Sequence, residues 1–94
     1  MPHSKSAQKA VRANKRRHLR NKSIRSLCKT KISKAEKLIL SGELNMGREA
    51  VKDAASVLDR AADKSIIHAN NAARRKSRLM RKLIRAEAAK TYDG

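Results

Sequence analysis

After Pro2 the sequence contains no proline, and two of its three glycines fall inside one stretch, SGELNMG from Ser41 to Gly47. The only other break is weaker, DKS at Asp63–Ser65. Proline ends helices and clusters of glycine and small polar residues make turns, so the long uninterrupted segments between them read as helices. The breaks predict three, over 6–40, 46–63 and 67–89, with the Ser65 side chain placed to cap the third. No segment alternates apolar and polar residues as a half-buried strand would, and no repeat is present.

Helical periodicity tests this division. A step of about 100° per residue puts Val51, Ala54, Ala55, Val57, Leu58, Ala61 and Ala62 on one arc, with Glu49, Lys52, Asp53, Asp59, Arg60 and Asp63 opposite. That small-residue face suits close helix packing. In the first segment Ile24, Leu27, Cys28, Ile32, Ala35, Leu38 and Ile39 share an arc of about 140°. In the third, Ala69, Ala72, Ala73, Leu79, Met80, Leu83 and Ile84 face Arg74, Arg75, Arg78, Arg81, Lys82 and Arg85 across the helix. Leu79, Met80, Leu83 and Ile84 are expected to hold that helix to its neighbours and so to aim the arginines. Lys31 and Lys76 fall within the apolar arcs, where the stem packs and the ammonium reaches out.

Residues 5–23 differ. Lys9, Arg12, Lys15, Arg16, Arg17, Arg20 and Lys22 point in every direction around the wheel, and little there can be buried. A first helix about 50 Å long would outreach its middle partner by about half. The expectation is an all-α three-helix bundle in one domain spanning 1–94, with residues 5–23 projecting and frayed until a polyanion neutralises them.

Charge names the class of partner. The chain carries 25 Lys and Arg against 8 Asp and Glu, a formal net charge of +17. No acid occurs from Lys64 to Ala86, whereas solvated helix faces usually mix signs. Nucleic acid or an anionic membrane fits such a body. An organellar transit peptide would explain basic residues at the N-terminus but not their return near the other end. The longest run of large apolar residues is LIL, Leu38–Leu40, far short of a membrane span. With no Phe or Trp and a single Tyr, no stacking platform for single strands can be built, so recognition should follow backbone shape.

Catalytic arrangements are missing. His3, His18 and His68 have no metal-ligand spacing with each other or with Cys28, the glycines form no phosphate loop, and the acids are scattered. Cys28 sits on the buried arc as a core thiol, and a lone cysteine suits a reducing compartment. Neither enzyme activity, nor a cofactor, nor a small-molecule substrate is expected. Three binding readings stand: an RNA-binding structural protein, a DNA-compacting protein, and a membrane-surface amphipathic protein. The third lacks an apolar face free for lipid.

The stretch SIIHANNAARRKSRL (Ser65–Leu79), with SAQKAVRANKRRHLRNKSIRS (Ser6–Ser26), the SG turn and AASVLDRAADKS, resembles the bacterial small-subunit ribosomal protein twenty family over nearly the whole chain. The resemblance implies a three-helix bundle bound directly to small-subunit ribosomal RNA. It implies early entry into the subunit, near RNA of the lower body, the 5′ domain and the long 3′ minor-domain helix. It further implies a cytoplasmic protein within the ribosome, few protein contacts, no membrane and no homo-oligomer.

The RNA-facing residues carried over are Arg16, Arg17, Arg20, Asn21, Ser23 and Arg25, with His68, Asn70, Arg74, Arg75, Lys76, Ser77 and Arg78. The basic character of the same faces adds Lys5, Lys9, Arg12, Lys15, Lys22, Lys29, Arg81 and Lys82. Two departures stand out: Ser65 where the family commonly has Gly, and Ala69 where it commonly has Lys. The first touches the geometry of the second turn, and the second removes one phosphate contact.

Overall fold

Helix ends explain the architecture. The computed structural model describes the backbone of residues 5–93 and the side chains of residues 6–90. Three helices form: α1 Lys5–Leu40, α2 Leu44–Asp63 and α3 Ala69–Asp93. The first turn is shorter than the SGELNMG stretch predicts, because Ser41–Glu43 alone reverse the chain and α2 is already wound at Leu44.

Both reversals use the same device. After α1, Glu43 N donates to Leu38 O (3.1 Å) and Gly42 N to Ile39 O (3.2 Å), with Gly42 at φ 82°. After α2, Ile66 N donates to Ala61 O (2.9 Å) and Ser65 N to Ala62 O (2.9 Å), with Ser65 at φ 58°. These paired bonds satisfy the orphan carbonyls of a helix end when the residue after the cap is left-handed. Glycine adopts that conformation without strain; serine does not.

Ser65 therefore closes α2 and does not cap α3, contrary to the sequence expectation. The cap on α3 is His68, whose Nδ1 accepts from Asn70 N at 3.2 Å and whose carbonyl accepts the first helical bond, from Ala72 N at 3.1 Å. Replacing Ser65→Gly is expected to raise stability by about 1 kcal/mol. Ser65→Ala, which keeps the left-handed penalty, should not; thermal unfolding followed by circular dichroism compares them.

Short turns make α1 and α2 antiparallel, α2 and α3 antiparallel, and α1 and α3 parallel neighbours. Two core clusters run along their seam. Cys28, Leu58, Ala61, Ile66 and Ala72 fill one, and Ala35, Ile39, Ala50, Val51, Ala54 and Leu79 fill the other, while half-buried Ile32 packs against both. Leu44, Gly47 and Ala50 extend the buried face of α2 beyond the predicted arc.

Five residues of the predicted apolar arcs are exposed: Leu27 at 43 %, Met80 at 47 % and Ile84 at 62 %, with the small Ala69 and Ala73. The wheel finds the correct side of each helix, but the neighbours cover only a strip of it. On α3 that strip follows Leu79, with Leu83 and Ala86 half-buried beside it. Leu79 and Ala72, with Leu83 and Ala86 packed beside Leu79, hold α3, and Met80 and Ile84 do not.

Acids are placed at the seams. Lys31 Nζ meets Asp53 Oδ2 at 3.3 Å between α1 and α2, and Lys76 Nζ meets Asp59 Oδ1 at 2.8 Å between α2 and α3. Arg48 pairs with Glu87 across α2 and α3, and Lys82 Nζ with Glu36 Oε1 at 2.9 Å across α1 and α3. Each exposed pair contributes only about 0–1 kcal/mol, yet together they relieve repulsion where basic helices meet.

The molecule measures 70 × 21 × 16 Å. The 36 residues of α1 span about 54 Å, against about 30 Å for α2. Lys, Arg, Ala and Gln favour helix and no breaker intervenes, so α1 runs unbroken through the overhang. Among the described residues no helix is long and apolar enough to cross a membrane. No group of three or more His, Cys, Asp or Glu among them is arranged to hold a metal ion.

Candidate nucleic-acid interface

The charge pattern separates by helix. In α2, three cations (Arg48, Lys52, Arg60) stand against four carboxylates (Glu49, Asp53, Asp59, Asp63), so this helix has no net positive charge. The cations concentrate on α1 and α3, which lie side by side.

Between those two helices runs a groove lined by Lys29, Ile32, Ser33, Glu36, Arg75, Arg78, Leu79 and Lys82. An adjoining cleft at the α2–α3 turn is lined by Arg25, Lys29, Ile66, Ile67, His68, Asn71 and Arg75. Lys29 and Arg75 belong to both, so one cationic trough follows the seam. Buried Leu79 and half-buried Ile32 form its floor, which fixes where Arg75 and Arg78 emerge. On the outer side of α3, Arg74, Arg78, Arg81 and Arg85 recur at helical spacing as a stripe about 16 Å long.

The predicted residues divide accordingly. Lys29, Arg75, Arg78, Arg25, His68 and Lys82 are gathered along the trough; Arg74, Arg81, Asn70 and Ser77 are exposed around it. On the overhang Lys9, Arg12, Lys15 and Arg16 flank one shallow depression with Gln8. Arg17, Arg20, Lys22 and Ser23 are exposed there, and Asn21 is half-buried. The Lys5 side chain lies outside the described residues.

Several of these groups already have partners within the chain. Arg25 donates from Nε (3.4 Å) and Nη2 (3.2 Å) to Ile66 O, tying α1 to the second turn. His68 caps α3. Lys82 is held by Glu36, and Lys76 faces Asp59 on α2, turned from the arginine stripe. Lys31 and Lys76 thus reach carboxylates where open solvent was expected.

Sequence reasoning passed over Ser33, Lys34 and Lys37, which with Lys29 and Thr30 line a further depression on α1. The spacing Lys29, Ser33, Lys37 on one helix face was the available signal. Cys28 is buried, and burial pushes its thiol pKa up, partly offset by the nearby Arg75. A protonated thiol without solvent access is no nucleophile.

Comparison with known proteins decides the family. The sequence profile described as ribosomal protein S20 matches residues 2–84. The chain belongs to the ribosomal protein S20 family. Among its ribosomal S20 relatives, the small ribosomal subunit protein bS20 of a Roseiflexus species is 58 % identical over 89 residues, covering 95 % of this chain and 97 % of that protein. The bS20 of Thermomicrobium roseum is 49 % identical over 94 residues, covering 100 % and 95 %. That of Dehalococcoides mccartyi is 48 % identical over 86 residues, covering 92 % and 98 %. An S20 family member is a structural ribosomal protein and not an enzyme.

Proposed function

We propose that this protein is a structural constituent of the bacterial small ribosomal subunit that binds small-subunit ribosomal RNA directly, as one 94-residue domain working in the cytoplasm within the ribosome. The observation that carries the reading is the one-sided charge: α1 and α3 share a cationic trough, while α2, with its carboxylates, forms the other side. Arginines held on a packed helix meet phosphate in fixed geometry and can bind it bidentately. The contact set is the overhang cations, Lys29, Arg74, Arg75, Arg78 and Arg81. Arg25 and His68 shape the turn beside them.

Co-sedimentation with small ribosomal subunits, and RNA affinity measured across salt, test the reading. Each phosphate neutralised adds about 0.7–0.9 to the slope of log affinity against log salt. A flat salt response, or duplex DNA bound as tightly as the RNA at matched salt, overturns it.

The overhang supplies a further prediction. No other helix covers it, so only helix propensity holds it. Amide hydrogen exchange from Lys9 to Arg20 is expected to be fast in the free protein and slow with RNA bound. Strong protection without RNA would contradict the assignment.

A further inference from the structure

Although cations are spread over the overhang, they do not encircle it. With Cys28 at zero and a step of about 100°, the eight basic residues from Lys5 to Lys22 occupy about 120° to 340°. Ala10, Asn14, His18, Asn21 and Val11 fill the remaining arc, about 0° to 100°. This corrects the reading that the charges point everywhere. Of the five α1 residues that line the trough, Arg25, Lys29, Ile32 and Glu36 fall on the same arc and Ser33 stands just beyond it. The uncharged face therefore continues the trough beyond the second turn, where α1 stands without α3 beside it.

We propose that this face, centred on Asn14 and His18, seats against the minor groove of an RNA double helix. Lys15 and Lys22 on one flank, and Arg17 and Arg20 on the other, reach the phosphates of the two bordering strands. The inference rests on the RNA-binding reading above and names which form of RNA the overhang takes. Charge complementarity selects the occupant: a neutral strip between two cationic borders matches a groove floor between two anionic strands. The A-form minor groove is wide and shallow and displays 2′-hydroxyls. A helix with short side chains can approach it closely, and the amides of Asn14 and Asn21 donate to and accept from those hydroxyls. The side chains of Val11, Asn14 and His18 are exposed on the protein itself and available for that contact.

The test is a sign. Asn14→Lys and His18→Lys each add a cation and improve helix propensity, so a face merely turned to solvent near RNA would bind more tightly. On a face pressed into the groove, the longer side chain lifts the helix and pulls its flanking cations from the phosphates. Affinity for small-subunit ribosomal RNA is expected to fall about tenfold in each variant. Gln8→Lys, on the cationic side, should instead tighten binding up to about fivefold near 0.1 M salt. Circular dichroism verifies that helix is kept in all three. Tighter or unchanged binding by Asn14→Lys and His18→Lys overturns the proposal while leaving RNA binding standing. Absence of salt-dependent binding by the unaltered protein overturns the underlying reading.

Discussion

Replacing Arg74, Arg75 and Arg78 together by Gln is expected to lower affinity for small-subunit ribosomal RNA about 100- to 500-fold near 0.1 M salt. Three phosphate contacts account for about two to three units of salt slope, and the slope should flatten by that amount. Arg75 and Arg78 line the trough and Arg74 stands on the stripe outside it, so none of the three guanidiniums occupies the core. Gln keeps a polar head and favours helix, and the far-ultraviolet dichroism should stay as it is. Lost affinity with an unchanged slope would mean that these arginines act by shaping the bundle. Lost helicity would mean that the face is wrongly assigned.

The second large effect concerns the core. Leu58→Ala is expected to cost about 3 kcal/mol, because Leu58 is fully buried among Cys28, Ala61, Ile66 and Ala72. Those neighbours are mostly small, so they cannot collapse far enough to refill the space. A bundle of this size without disulfide or metal holds only a few kcal/mol in reserve. The free variant should therefore be mostly unfolded at 25 °C, as read by dichroism and urea titration. On the RNA-binding reading proposed above, RNA binds only the folded form, and excess RNA should recover helix by mass action. A cost below about 1 kcal/mol would show that the cluster is not the seat of stability inferred here.

Helix count and the basic character of the third helix were legible in the sequence because breakers and charge act locally. Coverage was not. A wheel assigns Leu27, Met80 and Ile84 to the apolar side, but only the positions of neighbouring helices decide how much of that side is sheltered. Nor could spacing show that Lys76 and Lys82 have carboxylates opposite them, since Asp59 and Glu36 lie 17 and 46 residues away. Ser65 misled for a local reason: serine is a common N-cap, and here the carbonyls of the preceding helix decide its backbone. The neutral arc of the overhang was present in the sequence, yet its meaning emerged only when the arc facing α3 was known.

The unbroken course of α1 turns the protein into a gauge. Arg12 on the overhang and Lys29 in the trough are separated along one helix by about 25 Å. On the reading proposed here, RNA engages both only where its own folding has brought two backbones to that interval. RNA not yet folded can satisfy one site, and gains little from the second because the helix, once RNA has ordered the overhang, holds that interval. On that reading the helix rewards a distance between RNA elements, and a structural protein with no reader of bases gains part of its selectivity from length.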